Sequence, residues 1–292
     1  MLSIPVWGDP GAPLDPALMP IVGSLEKVLV QPEETLLDVA FAHRLGYEAV
    51  VRLNKDVDPW IPVPGSVLQL PTVYILPRAE RQDLVINVPE MRLYDFTTDP
   101  PEVLAAAIGD MADPSILGEF RIGAKRENPA WHVPASIREE RPELPAVVPS
   151  GPDNPLGSRW MTIGNTSYGI HGTNVRWSIG RMATHGCIRL YDDVVQRLYD
   201  RTQTGTRIRL VYQPFKWGVA HGALFLEVHP DVYAQYPDPL TEALRTPRAL
   251  GLLRALDLER VWRAVEEMRG IPVPVGRIPA PSRAETTSSP TS

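Results

Sequence analysis

The chain has 292 residues and a formal net charge of −6, with 43% hydrophobic and 22% charged residues. These are ordinary values for a globular protein. The net charge gives no general attraction to nucleic acid or anionic lipid, and the sequence has no basic stripe with interleaved aromatics. We therefore expect no nucleic-acid partner. We also expect no membrane span, because no apolar run approaches the ~20 residues that a bilayer requires.

Proline and cysteine are the two unusual residue types. The 32 prolines occur in clusters such as "PWIPVPG" and "PVPVGRIPAPS", which favour extended loops and sharply bounded strands. The single cysteine excludes an intrachain disulfide.

The N-terminus lacks the basic region and continuous apolar core of a signal peptide, so the sequence as it begins gives no export signal.

The first 72 residues predict an arm followed by a small module. Residues 1–26 are punctuated by Pro and Gly, which indicates an extended arm. Residues 27–72 predict a β-α-α-β unit: strand "KVLVQ", helix "PEETLLDVAFAHRLG", helix "YEAVVRLNKD" and strand "SVLQLP". Pro32 lies near the expected start of the first helix and Gly46 at its expected end. The unit is too small for a large core, so we expect it to dock on the larger domain that comes after it in the chain.

From Val73 the pattern changes to short strands separated by Gly, Pro and Asp. One helix interrupts them at "YDDVVQRLYDRTQTG", with Asp192 or Asp193 as N-cap and Gly205 at its end. The sequence thus predicts a mostly β (α+β) domain over residues 73–230, with one helix after the cysteine. Two amphipathic stretches predict a helical extension over 231–275, and the polar residues 276–292 predict a disordered tail.

The segment "YGIHGTNVRWSIGRMATHGCIRLYDD" carries the candidate chemistry at residues 168–193. His171 and His185 lie 16 and 2 residues before Cys187. An imidazole can generate the reactive thiolate and return the proton to a leaving amine. His171, which ends its own predicted strand, could meet Cys187 across a strand pair. We therefore predict His171 as general base and acid, and His185 as a residue that shapes the site.

The residues around the cysteine fit this interpretation. Gly172 and Gly186 permit close backbone approach and unusual φ angles, and N–H groups around Gly186 and Cys187 could point at an oxyanion. No acidic residue in the segment is an obvious third member, so a backbone carbonyl, such as that of Gly172, could orient His171. On an extended backbone Arg189 would face the same side as Cys187, where it suits a substrate carboxylate and favours the thiolate.

Other interpretations of the segment remain open. A lone cysteine is commonly a small buried hydrophobe, and a His/His/Cys zinc site is chemically possible. Asp192 and Asp193 are most simply a helix cap. Tyr168 and Trp177 flank the motif and could line a groove, although aromatics more often only pack.

The combination "HGT" followed by "THGCIRL" resembles the signature of the L,D-transpeptidase catalytic domain. The similarity covers roughly residues 73 to 215 and includes "LVINVPEMRLYDF". The stretches "NPAWHVPASIREERP" and "VVPSGPDNPLGSRWMTIGNTSYGIHGTN" are similar to its Gram-negative periplasmic branch. The β-α-α-β unit resembles a LysM module, a glycan-binding fold.

The resemblance implies a β-sandwich or barrel that performs acyl transfer on peptidoglycan without metal or cofactor. Cys187 would be the nucleophile and His171 the proton carrier, with Gly172 orienting His171, and His185 and Gly186 completing the catalytic group. Substrate would contact Arg189, Thr184, Tyr168 and Trp177. Thr184 stands where the family often has serine, and "SILGEFRI" replaces its usual "TPLG-F-I".

The implied partners are peptidoglycan stem peptides and glycan, and an outer-membrane lipoprotein as a candidate acyl acceptor. The implied location is the periplasm or the cell wall. Two alternatives stay open: L,D-carboxypeptidase or D-amino-acid exchange activity at the same site, and a non-catalytic wall-binding protein.

Overall fold

The computed structural model describes residues 17–79 and 83–278. Residues 1–16 of the expected arm and 279–292 of the expected tail lie outside the described residues. The strands are β1 (Ile21–Gly23), β2 (Glu26–Leu29), β3 (Val67–Leu70), β4 (Val73–Ile75), β5 (Leu84–Asn87), β6 (Arg92–Asp95), β7 (Glu102–Gly109), β8 (Gly118–Glu127), β9 (Trp131–His132), β10 (Val147–Val148), β11 (Arg159–Ile163), β12 (Gly169–His171), β13 (Met182–Thr184), β14 (Ile188–Leu190), β15 (Arg207–Val211), β16 (Phe215–Ala220), β17 (Ala223–Val228) and β18 (Val273–Arg277). The helices are α1 (Leu36–Ala42), α2 (Tyr47–Leu53), α3 (Ala135–Glu140), α4 (Asp192–Arg201), α5 (Pro239–Ala243), α6 (Arg245–Ala249) and α7 (Leu258–Glu267), with short 3-10 helices at Val88–Glu90, Arg176–Ser178 and Leu253–Ala255.

A nine-stranded sheet forms the centre of the molecule, in the order β13-β7-β14-β12-β11-β8-β15-β5-β6. Because β6 also pairs with β7, eight of these strands close into a barrel-like ring. Closure leaves few free strand edges, and the largest apolar core, with Leu84, Ile170 and Ile188 fully buried, belongs to this sheet. The mostly β (α+β) prediction is confirmed, and helix α4 follows the cysteine as expected.

Strand β7 was not predicted, although it pairs with β6, β13 and β14. Its sequence "EVLAAAIG" is rich in alanine, which has little preference for strands. Burial on both faces, rather than local propensity, makes this segment a strand: its last six residues are buried.

The β-α-α-β unit has the predicted order of elements, and β2 pairs with β3. Two boundary predictions are wrong. Helix α1 begins after Thr35, which forms a capping box with Asp38, so Pro32 lies outside it. Gly46 does not end that helix but is the N-cap of α2.

The small unit docks on the barrel, as its size predicted. The Tyr47 N–H donates to the carbonyl of Ile179 at 3.1 Å. The Tyr191 hydroxyl donates to the carbonyl of Leu45 at 2.8 Å, and Arg44 pairs with Asp193 at 2.9 Å. These contacts attach the unit close to the start of α4.

Both ends of the described chain differ from the expected arm and tail. β1 pairs antiparallel with β4, so residues 21–23 belong to a sheet and not to an extended arm. β18 pairs with β17, and its residues 276 and 277 are therefore ordered rather than tail. Pro274 is tolerated in β18 because β18 is an edge strand of the sheet β16-β17-β18. α5 and α7 pack on that sheet, which fits the helical character expected after residue 231.

Helix α4 also starts differently. Its N-cap is Tyr191, without a side-chain cap, and its C-cap is Thr202. Asp192, Asp193 and Gly205 therefore do not have the predicted capping roles. Among the described residues, no helix combines the length and apolarity that a membrane span requires.

Candidate active site

The parallel pairing of β12 with β14 brings the two halves of the motif together. Ile170 lies opposite Ile188 and His171 opposite Arg189. One residue earlier, this register places Cys187 beside Gly169, whose backbone hydrogen-bonds the sulfur. Side chains alternate along a strand, so Ile170 and Ile188 enter the core while His171, Cys187 and Arg189 share the opposite face. The strand pairing therefore puts His171 and Cys187 on one face, and direct contact between the thiol and the imidazole stays a prediction.

His171 is held as a neutral base. Its Nδ1 lies 2.6 Å from the carbonyl oxygen of Gly172, which can only accept, so Nδ1 of the neutral ring carries the proton and Nε2 does not. The backbone of Leu156 makes a further hydrogen bond with the ring. The ring stacks on Trp160 at a centroid distance of 5.7 Å. Burial, with a contribution from the positive charge of Arg189, lowers the pKa of His171 to about 3. At neutral pH the imidazole is therefore uncharged.

Cys187 is partly exposed and is a free cysteine. Burial of the sulfur raises its pKa, while the Gly169 backbone and Arg189 act in the opposite direction. The net direction is upward, so the expectation that Arg189 favours a thiolate is outweighed by burial. The pair is therefore a neutral thiol and a neutral imidazole.

Thr184 supports the turn that carries the thiol. Its side chain is 4% exposed, and its hydroxyl donates to the carbonyl oxygen of Cys187 at 2.6 Å. This bond gives Thr184 a positioning role. Contact between Thr184 and a substrate stays a prediction.

His185 pairs with an acidic residue that sequence reasoning missed. Its Nδ1 lies 2.8 Å from Oδ2 of Asp113. The two imidazoles have different partners, which does not fit a His/His/Cys zinc site at the thiol. Asp113 follows β7, and β13 ends immediately before His185. The contact could therefore be predicted only by someone who knew that β7 pairs with β13.

Two glycines in the motif are required by close packing. Gly186 has a φ of +88°, and a Cβ there would lie 2.4 Å from Cε1 of Tyr168. A Cβ on Gly172 would lie 2.1 Å from Oδ1 of Asp192. That carboxylate accepts from the backbone N–H of Ser158 at 2.7 Å, so Asp192 joins the start of α4 to the loop before β11 instead of capping the helix.

The remaining predicted substrate residues lie in different settings. The buried Nε of Arg189 has no hydrogen-bond partner within the described part of the chain, which leaves a cation available beside the thiol. Tyr168 packs against Gly186, at the site. Trp177 is 53% exposed. The guanidinium of Arg181 lies 6.0 Å from the centroid of the Trp177 ring and also lies over Tyr47 of the small unit. Substrate contact by these residues stays a prediction.

Comparison with known proteins gives a consistent result. The model of the L,D-transpeptidase catalytic domain (YkuD) matches residues 81–210. The probable L,D-transpeptidase ErfK/SrfK of Salmonella typhimurium is 34% identical over 282 residues, covering 89% of this chain and 89% of that protein. The probable L,D-transpeptidase YcfS of Escherichia coli is 32% identical over 285 residues, covering 91% and 88%. Among solved structures, the catalytic domain of the E. faecium L,D-transpeptidase has 18% identity and a TM-score of 0.36, covering 46% of this chain and 100% of that one.

Proposed function

Because this chain belongs to the L,D-transpeptidase family, we propose that Cys187 is the nucleophile of an acyl transfer on peptidoglycan stem peptides. The observation that carries the proposal is the common face of β12 and β14, which presents Cys187, His171 and Arg189 side by side. The catalytic group is Cys187, His171, His185, Gly172 and Gly186.

In the first half-reaction, Nε2 of His171 removes the proton from the thiol while the sulfur attacks the carbonyl carbon of the third stem residue. The resulting oxyanion is stabilised by backbone N–H groups around Gly186 and Cys187. The C–N bond to the fourth residue then breaks, and the imidazolium returns its proton to the departing amine of D-alanine. A thioester on Cys187 and a neutral His171 remain.

In the second half-reaction, an acceptor amine attacks the thioester and gives a proton to His171. The thiolate that leaves recovers this proton, which restores the resting pair. The acceptor is a diaminopimelate amine, giving a 3→3 cross-link, or a lysine of a lipoprotein. Water or a D-amino acid at the same position would give carboxypeptidase or exchange activity.

Arg189 is the proposed anchor for a substrate carboxylate. A buried guanidinium nitrogen without a partner is costly, and a carboxylate would satisfy it through charge-assisted hydrogen bonds. Desolvation lowers the pKa of Arg189 because burial disfavours its charged form. A bound anion would stabilise that charged form. Tyr168 would line the same pocket.

We further propose that residues 27–72 are a LysM-like glycan-binding module and that the protein works in the periplasm. The module carries an exposed apolar loop with Trp60 57%, Ile61 78% and Val63 70% exposed. Such a surface suits stacking against a sugar chain. Docking of this unit on the barrel would hold a glycan strand near the catalytic face.

Mass spectrometry tests the nucleophile. Incubation of the intact protein with a tetrapeptide stem or a carbapenem should give one adduct, located on Cys187, and Cys187→Ala should give none while keeping the circular-dichroism spectrum of the parent. Muropeptide profiling then separates 3→3 dimers, lipoprotein-linked stems and trimmed tripeptides. Full activity of Cys187→Ala would reject the nucleophile assignment.

A further inference from the structure

Three side chains that could bind a metal ion converge beside the catalytic loop. One ligand atom each from Asp113, Glu140 and His185 lies within 4.8 Å of the other two. They come from the loop after β7, the last residue of α3, and the loop between β13 and β14. A hydrogen bond joins His185 and Asp113 at 2.8 Å, so a metal ion would replace the proton between these two atoms, and Glu140 would approach them.

Neither carboxylate of this cluster is paired with a lysine or arginine within the described residues. Asp113 has the imidazole of His185 as its partner. Two carboxylates therefore face one imidazole in this cluster. A divalent cation would neutralise them, and one imidazole with two carboxylates is a ligand set that suits zinc.

A second cluster of the same residue types shows the contrast. Glu90, Glu227 and His229 also have ligand atoms within 4.8 Å of one another, but they are buried. There, Lys216 lies 2.8 Å from Glu90, and Arg92 lies 3.0 Å from each carboxylate. Two protein cations already occupy the role that a metal would have. The exposed cluster lacks these cations.

We propose that Asp113, Glu140 and His185 form a Zn²⁺ site that ties α3 to the loop carrying Cys187. Zinc ligands about 2.1 Å from one ion lie roughly 3.4 Å apart in a tetrahedral site. Closure therefore needs the His185–Asp113 pair to open from 2.8 Å and the exposed Glu140 to shift on the order of 1 Å. Three protein ligands leave a position for water. The site itself does not depend on the proposed function.

Zinc at this position has a consequence for the thiol. His185 precedes Cys187 by two residues, and α3 belongs to the segment 128–158 between β8 and β11. Fixing α3 to His185 restricts the approach to the sulfur from that side. Zinc binding is therefore expected to slow reaction at Cys187, and this part rests on Cys187 being the reactive group.

Calorimetric titration with zinc chloride tests the site. The full chain is used with Cys187→Ala, because a thiolate would itself bind zinc. Glu140→Gln in this background should weaken zinc binding by at least roughly tenfold, and Glu139→Gln, at the exposed neighbouring position, should leave it unchanged. Equal affinities in the two variants, or no binding by the parent, would overturn the site.

A second measurement tests the consequence. The chain has one cysteine, so its alkylation rate reports Cys187 alone. Zinc should slow alkylation in the wild type and in Glu139→Gln but not in Glu140→Gln. Equal slowing in all three proteins would mean that the ion binds at the sulfur and would refute closure by α3. Neither measurement requires transpeptidase activity, so failure here is distinct from failure of the proposed function.

Discussion

Replacement of Lys216 by methionine tests how the C-terminal sheet is attached to the barrel. Lys216 on β16 has a side chain 2% exposed, and its Nζ lies 2.8 Å from Glu90 and 3.3 Å from Glu227. Glu90 belongs to the barrel, and β16 and β17 to the three-stranded sheet. Burial alone would raise the pKa of Glu90, yet Lys216 and the other cations hold it below its ordinary value. Glu90 is thus ionised and depends on its cations.

The magnitude follows from this geometry. With Lys216 removed, two buried carboxylates share the single charge of Arg92. Removing one partner of a buried ion pair costs about 3–5 kcal/mol. At roughly 2–4 °C per kcal/mol, Lys216→Met should lower the melting temperature by about 10 °C. Pairing it with Glu227→Gln removes one charge of each sign and should recover part of the loss.

Thermal and urea unfolding followed by circular dichroism provide the assay. Lys55→Met is the matched control, because Lys55 is exposed and surface substitutions usually change stability by no more than about 0.5 kcal/mol. If Lys216→Met were as stable as Lys55→Met, the carboxylates would not need this cation and the reasoning would be refuted.

Three further predictions concern the site. Gly186→Ala adds a steric clash to backbone strain and should destabilise the fold more than Gly205→Ala does. Gly205 has a φ of +92° but open space around it, so the difference between the two melting temperatures measures the clash alone. Thr184→Val leaves a carbonyl without its donor and should cost about 1–3 kcal/mol and slow carbapenem acylation. Burial depresses the pKa values of His171 and His229 below 6.5, so protons bind the unfolded state first as the pH falls. Unfolding titrations should therefore show the full free energy of unfolding above pH 6.5. Below pH 6.5 it should fall, by up to about 2.7 kcal/mol per pH unit for two groups. A flat profile between pH 6.5 and 4.5 would contradict this.

Local signals predicted the part of the site that is built from adjacent strands. "GIH" and "CIRL" are short alternating segments, and two-residue periodicity places His171, Cys187 and Arg189 on one face as soon as β12 and β14 pair. The same periodicity predicts Ile170 and Ile188 as core. Side-chain alternation is a property of the backbone and is therefore visible in the sequence.

Features that depend on distant pairing were not visible. The alanines of β7 carry no strand signal, and they become a strand because β6 and β14 flank them. Asp113 reaches His185 only through that strand. In the same way β18 forms within a proline-rich segment because β17, about 50 residues earlier, offers it an edge.

The neutral resting pair changes how reactivity at this site should be interpreted. A cysteine with a raised pKa is mostly protonated at neutral pH, so Cys187 should alkylate no faster than free cysteine even in a fully active enzyme. Slow alkylation therefore does not indicate a non-catalytic wall-binding protein. A stem peptide or carbapenem differs from an alkylating agent because its carbonyl oxygen can occupy the oxyanion position while His171 takes the proton. The quantity that discriminates the two cases is the ratio of the acylation rate to the alkylation rate. A catalytic site gives a high ratio, which His171→Gln lowers to that of a degenerate site. A degenerate site gives a low ratio, which the same substitution leaves unchanged.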